Sequence, residues 1–328
     1  MQLTRDKLLN NKISNKQEDQ TAKKRRRIIT SVILITSILI SGILWFRNKN
    51  SEWFEGFQEP LVYKVNKDSS KKQTSSSAFK NKDDVLQSIN LLTSELRGEY
   101  GIYYFNLLKE TEFGINEDSI FTAASVNKVP IIVAFYQGVE RGEAKEEGEY
   151  ILQKIDIQDY GTGQMRYQTV GTKYSYGQLV ELSGKISDNT AAYVLEKLIG
   201  RSKIQANLEK LGFINTSLTD NTTTPKEMGS FFVDLYKGSL LKEKNKEKIF
   251  SVLTDTEFED RIPKGIPENI KVAHKIGNEI QTYNDCGIVF AQNPYVLCVL
   301  TKGVAENEVL DVFPKISKIF WQYNEDQL

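Results

Sequence analysis

The sequence predicts an α+β (α/β) fold: an antiparallel sheet flanked by helices and built from both ends of a folded body, with an all-α lobe inserted between them and one transmembrane helix in front. Three observations carry this. Residues 28–46 (IITSVILITSILISGILWF) hold no charge. From residue 81 the hydrophobic periodicity runs helix, strand, many helices, strands, helix. Near the end, Gln292-Asn293-Pro294 separates two short apolar runs, as a hairpin turn does.

The first 27 residues carry nine Lys/Arg against three Asp/Glu, although the whole chain of 328 residues balances 43 basic with 43 acidic side chains. The nineteen residues that follow would be ~28 Å long as a helix, close to the ~30 Å hydrocarbon thickness. Lys23–Arg27 abuts one end and Trp45 the other. The positive-inside bias therefore places a basic tail (1–27) in the cytoplasm, a single-pass anchor at 28–46, and the rest outside the cell membrane. The segment lacks an Ala-x-Ala exit site, which favours an uncleaved anchor over a signal peptide. Residues 47–80, ending in a Ser/Lys-rich stretch, read as a linker. Residues 81–328 form the folded domain, with the all-α lobe over roughly 125–255.

Within that domain, apolar spacing predicts helices over 84–97, 125–141, 176–184, 189–198, 201–211, 225–236, 241–253 and 313–323. Strand-like runs cover 100–108, 271–277, 286–291 and 295–301. Zero net charge gives no argument for a nucleic-acid partner. One histidine and two cysteines exclude a multi-histidine zinc site, an all-cysteine cluster and a disulfide-dense scaffold. No metal or organic cofactor is implied.

Ser125-Val126-Asn127-Lys128 opens the helix at 125, and a spacing of three places the hydroxyl and the amine on one face. Serine is a poor nucleophile until a base takes its proton; lysine is such a base once burial lowers its pKa. The same spacing at Ser69–Lys72, Ser77–Lys80 and Ser239–Lys242 lies in linker or surface sequence. Only Lys128 is bracketed by apolar residues, and a buried lysine needs a reason. Ser187-Asp188-Asn189 precedes the helix at 189 and by itself reads as an N-cap. Lys275-Ile276-Gly277 ends a strand, where Lys275 offers a fixed cation and Gly277 allows close backbone approach.

These three motifs, in this order, resemble those of the class A β-lactamases and the wider penicillin-recognising serine hydrolases. The resemblance spans roughly residues 84–328 and extends to GTKYSYGQLVELSGKISDNTAA, TTTPKEMGSFF, DRIPKGIP and VAHKIGN. It implies a β-lactamase/transpeptidase-like fold and a Ser125 acyl-enzyme. By the same resemblance, Lys128 is the base or proton relay, and Ser187 passes a proton to the leaving nitrogen. Asn189 binds the substrate amide, Lys275 meets the substrate carboxylate, and Gly277-Asn278 borders the substrate. The oxyanion hole would be the backbone N–H groups of Ser125 and Asn278. The implied substrate is a β-lactam or a D-Ala-D-Ala-type wall peptide. A β-lactamase is the first expectation, a penicillin-binding-protein-like carboxypeptidase the alternative, and a non-catalytic sensor of lactams or wall fragments a third.

Two departures stand out. Ile276 occupies the place of the usual threonine, so a hydroxyl that bonds the carboxylate is missing. The deacylating glutamate of the family's Ω loop is also absent, because only the nine residues 213–221 (FINTSLTDN) separate Gly212 from Thr222. Glu196 and Glu209 are expected to face solvent, and Asp220 to be a turn residue rather than a substitute base. His274 alternates with Lys275 along the strand and is read as structural. Cys286 and Cys298 lie on adjacent strand-like runs. They could bridge, but a one-residue slip reverses the face, and buried unpaired thiols are the expectation.

Overall fold

A computed structural model describes residues 79–327. The expected tail (1–27), anchor (28–46) and nearly all of the linker (47–80) lie outside the described residues. No helix among the described residues is long and apolar enough to cross a membrane.

The first helix, α1 (Lys82–Thr93), starts where Asn81 accepts the amides of Asp83 and Asp84 while Asp84 accepts the Asn81 N–H. That reciprocal cap satisfies donors that the first turn leaves open. Then come β1 (Glu99–Asn106) and β2 (Thr111–Ile115). At the far end of the chain lie β7 (Val272–Glu279), β8 (Thr282–Val289), β9 (Tyr295–Lys302) and the closing helix α8 (Glu306–Glu325). The five strands form one antiparallel sheet in the order β2-β1-β9-β8-β7. The sheet is therefore sewn from both ends of the described chain, as the periodicity predicted.

Alternation along β1 sorts its side chains between two cores. Ile102 and Tyr104 join Val85, Ile89, Phe313 and Phe320 under α1 and α8. Tyr103 joins the helical lobe on the other face. A buried polar clasp fixes α8: Asn324 accepts the Tyr104 hydroxyl at 2.8 Å and donates to the Asn293 carbonyl at 2.7 Å.

Between β1–β2 and β7 the chain builds the helical lobe. Its helices are α2 (Lys128–Glu140), α3 (Tyr176–Lys185), α4 (Asn189–Ile199), α5 (Arg201–Lys210), α6 (Pro225–Lys237) and α7 (Glu243–Leu253). α2 is buried nearly all round, through Val129, Ile132, Val133 and Phe135, which marks it as the central helix of the lobe. Two short pairs complete the chain: β3 (Phe121–Thr122) with β6 (Thr222–Thr223), and β4 (Glu149–Ile151) with β5 (Lys173–Ser175).

Three expectations need correction. The helix expected from Ser125 begins as a 3-10 turn over Ala124–Asn127 and becomes α-helical only at Lys128. The closing helix starts at Glu306, earlier than its apolar face, because its first turn is acidic and half-exposed. Cys286 and Cys298 are not free thiols. They pair directly across β8 and β9 and are bonded to each other. The register puts both side chains on the face toward the helical lobe, the alternative the sequence could not fix.

Candidate active site

Ser125 sits partly exposed in the turn that enters α2. Ala124, just before it, has φ +49°, a left-handed conformation that costs a non-glycine residue about 1–3 kcal/mol. Strain of this kind persists where surrounding contacts over-determine the chain, and here those contacts surround a hydroxyl. Gly277 of β7 makes one of them. A Cβ at Gly277 would stand 2.7 Å from the Ala123 carbonyl oxygen and 3.1 Å from Ser125 N. Only a residue without a side chain lets the strand edge approach the turn so closely.

Lys128, the first residue of α2, is buried. Its amine donates to Asn189 Oδ1 at 2.6 Å, to Ser187 Oγ at 3.1 Å and to the Ser187 carbonyl. Burial pulls its pKa down to about 7, against an opposing pull from Asp188. A large fraction of Lys128 is therefore unprotonated near neutrality, as a proton acceptor must be.

Ser187 is likewise strained, at φ +55°. Asp188 is the helix cap that its residue type predicted. Its Oδ1 accepts Ala191 N at 2.9 Å, while Oδ2 accepts the amides of Gln164 and Met165 at 2.7 and 2.8 Å. The cap of α4 thus also holds the loop 161–165 at the mouth of the site. The Asn189 amide is fixed at both ends: Nδ2 donates to the Tyr160 carbonyl at 2.9 Å, and Oδ1 receives Lys128. Nδ2 makes no second hydrogen bond among the described residues.

Lys275 is 2% exposed, and its amine donates to the Ile276 carbonyl at 3.2 Å. Burial, and next the charge of Lys128, hold its pKa well below the ordinary lysine value. A charge on Lys128 therefore disfavours a proton on Lys275. Ile276 is buried on the opposite β7 face, between His274 and Asn278. Asn278 is exposed, and its Oδ1 accepts Arg261 Nη2 at 2.5 Å.

The structure thus joins Lys128, Ser187 and Asn189 by hydrogen bonds, presses Gly277 against the Ser125 backbone and couples Lys275 electrostatically to Lys128; no hydrogen bond joins Ser125 Oγ to Lys128 among the described residues. Sequence reasoning missed Arg261, a buried guanidinium that also donates to the Asn284 carbonyl at 2.6 Å. Its segment, DRIPKGIP, belongs to the family resemblance, which assigns no role to Arg261. His274 is structural in a stronger sense than alternation implied. It is fully buried, with Nδ1 2.8 Å from Asp285 Oδ1 and Nε2 3.2 Å from Glu259 Oε1. Burial disfavours its charge, but the two carboxylates outweigh burial and raise its pKa to about 9. Asp220 hydrogen-bonds Ser217 in an exposed turn, and Glu196 pairs with Arg201. No cluster of His, Cys, Asp and Glu among the described residues could hold a metal ion.

A serine next to the strained Ala124, a buried lysine one turn on, a second hydroxyl against that lysine and a coupled second cation are the makings of a serine hydrolase. The chain belongs to the β-lactamase enzyme family, whose model matches residues 84–324. It is 25% identical over 275 residues to β-lactamase VEB-1 of Pseudomonas aeruginosa, covering 74% of this chain and 90% of that one. Among solved structures, a mutant of PBP-A captured as an acyl-enzyme complex with penicillin G superposes with a TM-score of 0.70 at 23% identity, covering 74% of this chain and 97% of that one. The β-lactamase of Sphaerobacter thermophilus does so with a TM-score of 0.70 at 22% identity, covering 75% and 98%. These two establish a shared fold.

Proposed function

We propose that this protein is a membrane-anchored, extracytoplasmic serine hydrolase that opens β-lactams through a Ser125 ester and releases the product slowly. The observation that carries the chemistry is the Lys128 amine: buried, half-neutral near pH 7, and in contact with Ser187 Oγ. In this reading neutral Lys128 takes the Ser125 proton as Oγ attacks the lactam carbonyl. The backbone N–H groups of Ser125 and Asn278 receive the developing oxyanion. The proton moves from Lys128 through Ser187 Oγ to the lactam nitrogen, and the C–N bond breaks. Asn189 holds the substrate amide with its remaining Nδ2 hydrogen. A substrate carboxylate near Lys275 favours the proton that burial disfavours there, and a charged Lys275 then keeps Lys128 neutral. VEB-1 is named a β-lactamase and PBP-A is known here in a penicillin ester, which supports β-lactams as the ligand class.

One observation favours a second reading, a carboxypeptidase acting on D-Ala-D-Ala-type wall peptides. The short loop 213–221 contains no glutamate, and its one acid, Asp220, is tied to Ser217. Localisation rests on the basic tail and the uncharged segment 28–46.

The deciding experiment mixes the full-length chain, in mild detergent, with benzylpenicillin and follows intact mass and product release together. Adduct with turnover supports the lactamase, and a long-lived adduct supports the carboxypeptidase-like enzyme. A wild type indistinguishable from Ser125→Ala overturns both in favour of a non-catalytic binder.

A further inference from the structure

An ester on Ser125 needs an activated water to be released, and Lys128 is already engaged with Ser187 and Asn189. Most carboxylates of the surrounding shell are committed elsewhere. Asp188 accepts three backbone amides. Glu227 accepts Asn215 N, Asn215 Nδ2 and Thr216 Oγ1. Glu259 is paired with His274. Glu279 differs. It ends β7 on the same face as Lys275 and Gly277, since side chains two residues apart share a face, and Gly277 is the residue pressed against Ser125.

Glu279 is exposed and makes one polar contact among the described residues: Oε2 accepts Asn221 Nδ2 at 3.1 Å. Asn221 itself is bound to the nucleophile turn on both sides of Ser125. Its carbonyl accepts Ala123 N at 2.8 Å, and its Oδ1 accepts Asn127 Nδ2 at 3.3 Å. Asn221 adopts φ +55° to do this. Asn127 itself is buried, so this contact anchors Asn221 in the interior beneath the turn. One amide side chain therefore couples a carboxylate with a free oxygen to the turn that would carry the ester.

Resting on the hydrolase reading above, we propose that Glu279 is the general base that activates water for release of the Ser125 ester, with Asn221 holding its carboxylate toward the turn. Water adds through its oxygen to the ester carbonyl carbon, and Glu279 takes the water proton. The tetrahedral intermediate collapses, the bond from carbon to Ser125 Oγ breaks, and the product leaves as its carboxylic acid. The proton held by Glu279 returns to the Ser125 alkoxide.

The test uses the full-length chain with a chromogenic cephalosporin in pre-steady-state mixing, reading burst rate and release rate separately for wild type, Glu279→Gln and Glu279→Asp. The proposal expects a retained burst in Glu279→Gln, release slowed about 10²-fold, and partial recovery of release in Glu279→Asp. Equal release rates in wild type and Glu279→Gln overturn it while the hydrolase reading stands. A weakened burst with unchanged release also overturns it and makes Glu279 a substrate-recognition group. A wild type that forms no adduct overturns the hydrolase reading and this proposal together.

Discussion

Lys128 Nζ and Asn189 Oδ1 lie 2.6 Å apart, so the buried amine and the amide proposed to hold the substrate position each other. The same Asn189 is held from the other side by the Tyr160 carbonyl, and Asp188 next to it holds 161–165. Base, amide and mouth loop are one hydrogen-bonded assembly across α2 and α4.

With Lys128 near pKa 7, the neutral amine gains population as pH rises. The burst rate should climb about tenfold per pH unit below pH ~6.5 and level off above ~8. Lys128→Ala should remove this limb and slow the burst by at least ~10²-fold. A burst rate independent of pH from 5 to 9 would contradict the role given to this amine.

Ile276 is buried on the β7 face opposite Lys275 and Gly277, so Ile276→Thr should leave the second-order acylation constant for carboxylate-bearing lactams within about twofold of wild type. Its hydroxyl would be buried, at a cost of about 1–3 kcal/mol unless it finds a partner, read from denaturant midpoints. A tenfold rise in acylation that vanishes for substrates esterified at the carboxylate would instead bring this side chain to the substrate.

His274 is a raised-pKa group, so it binds its proton more tightly in the folded chain. Its stabilisation is complete below pH ~6.5 and is lost as pH rises through about 9. His274→Asn should therefore destabilise the fold more at pH 6 than at pH 10. The difference should approach about 3 kcal/mol, read from denaturant midpoints across pH. A constant difference would mean that the imidazole is buried uncharged.

The Cys286–Cys298 bond closes a short loop, with a sequence separation of 12. Replacing both cysteines by alanine should cost about 2–4 kcal/mol. Cys286 sits directly across from Lys275 in the β7–β8 register, so a drop in acylation larger than the loss of folded protein should accompany it.

Much of this site was legible in the sequence because its chemistry is local. Ser125 and Lys128 share one turn, Ser187-Asp188-Asn189 share one cap, and Lys275 and Gly277 share one strand face. Spacing alone reports such relationships. What escaped reading joins distant segments. Asn221 touches Ala123, Asn127 and Glu279, and Arg261 reaches Asn278, each from a loop without periodicity. β2 (TEFGI) was missed because a short edge strand with a single buried residue, Phe113, carries little hydrophobic pattern. The cysteine bridge escaped because pairing register is a one-residue question that composition does not answer.

The pairing of β1 with β9 sets when the candidate site can assemble. Gly101 meets Leu300 across that seam, so the central strands meet only after residue 300 has left the ribosome. A product truncated near residue 270 would keep the nucleophile turn and every helix of the inserted lobe, yet lack Lys275, Gly277 and Glu279. Such a fragment has no second wall to its cleft. The candidate site therefore assembles only after β7 to β9 have been made, and a stop codon placed before β7 should be as damaging to it as an earlier one.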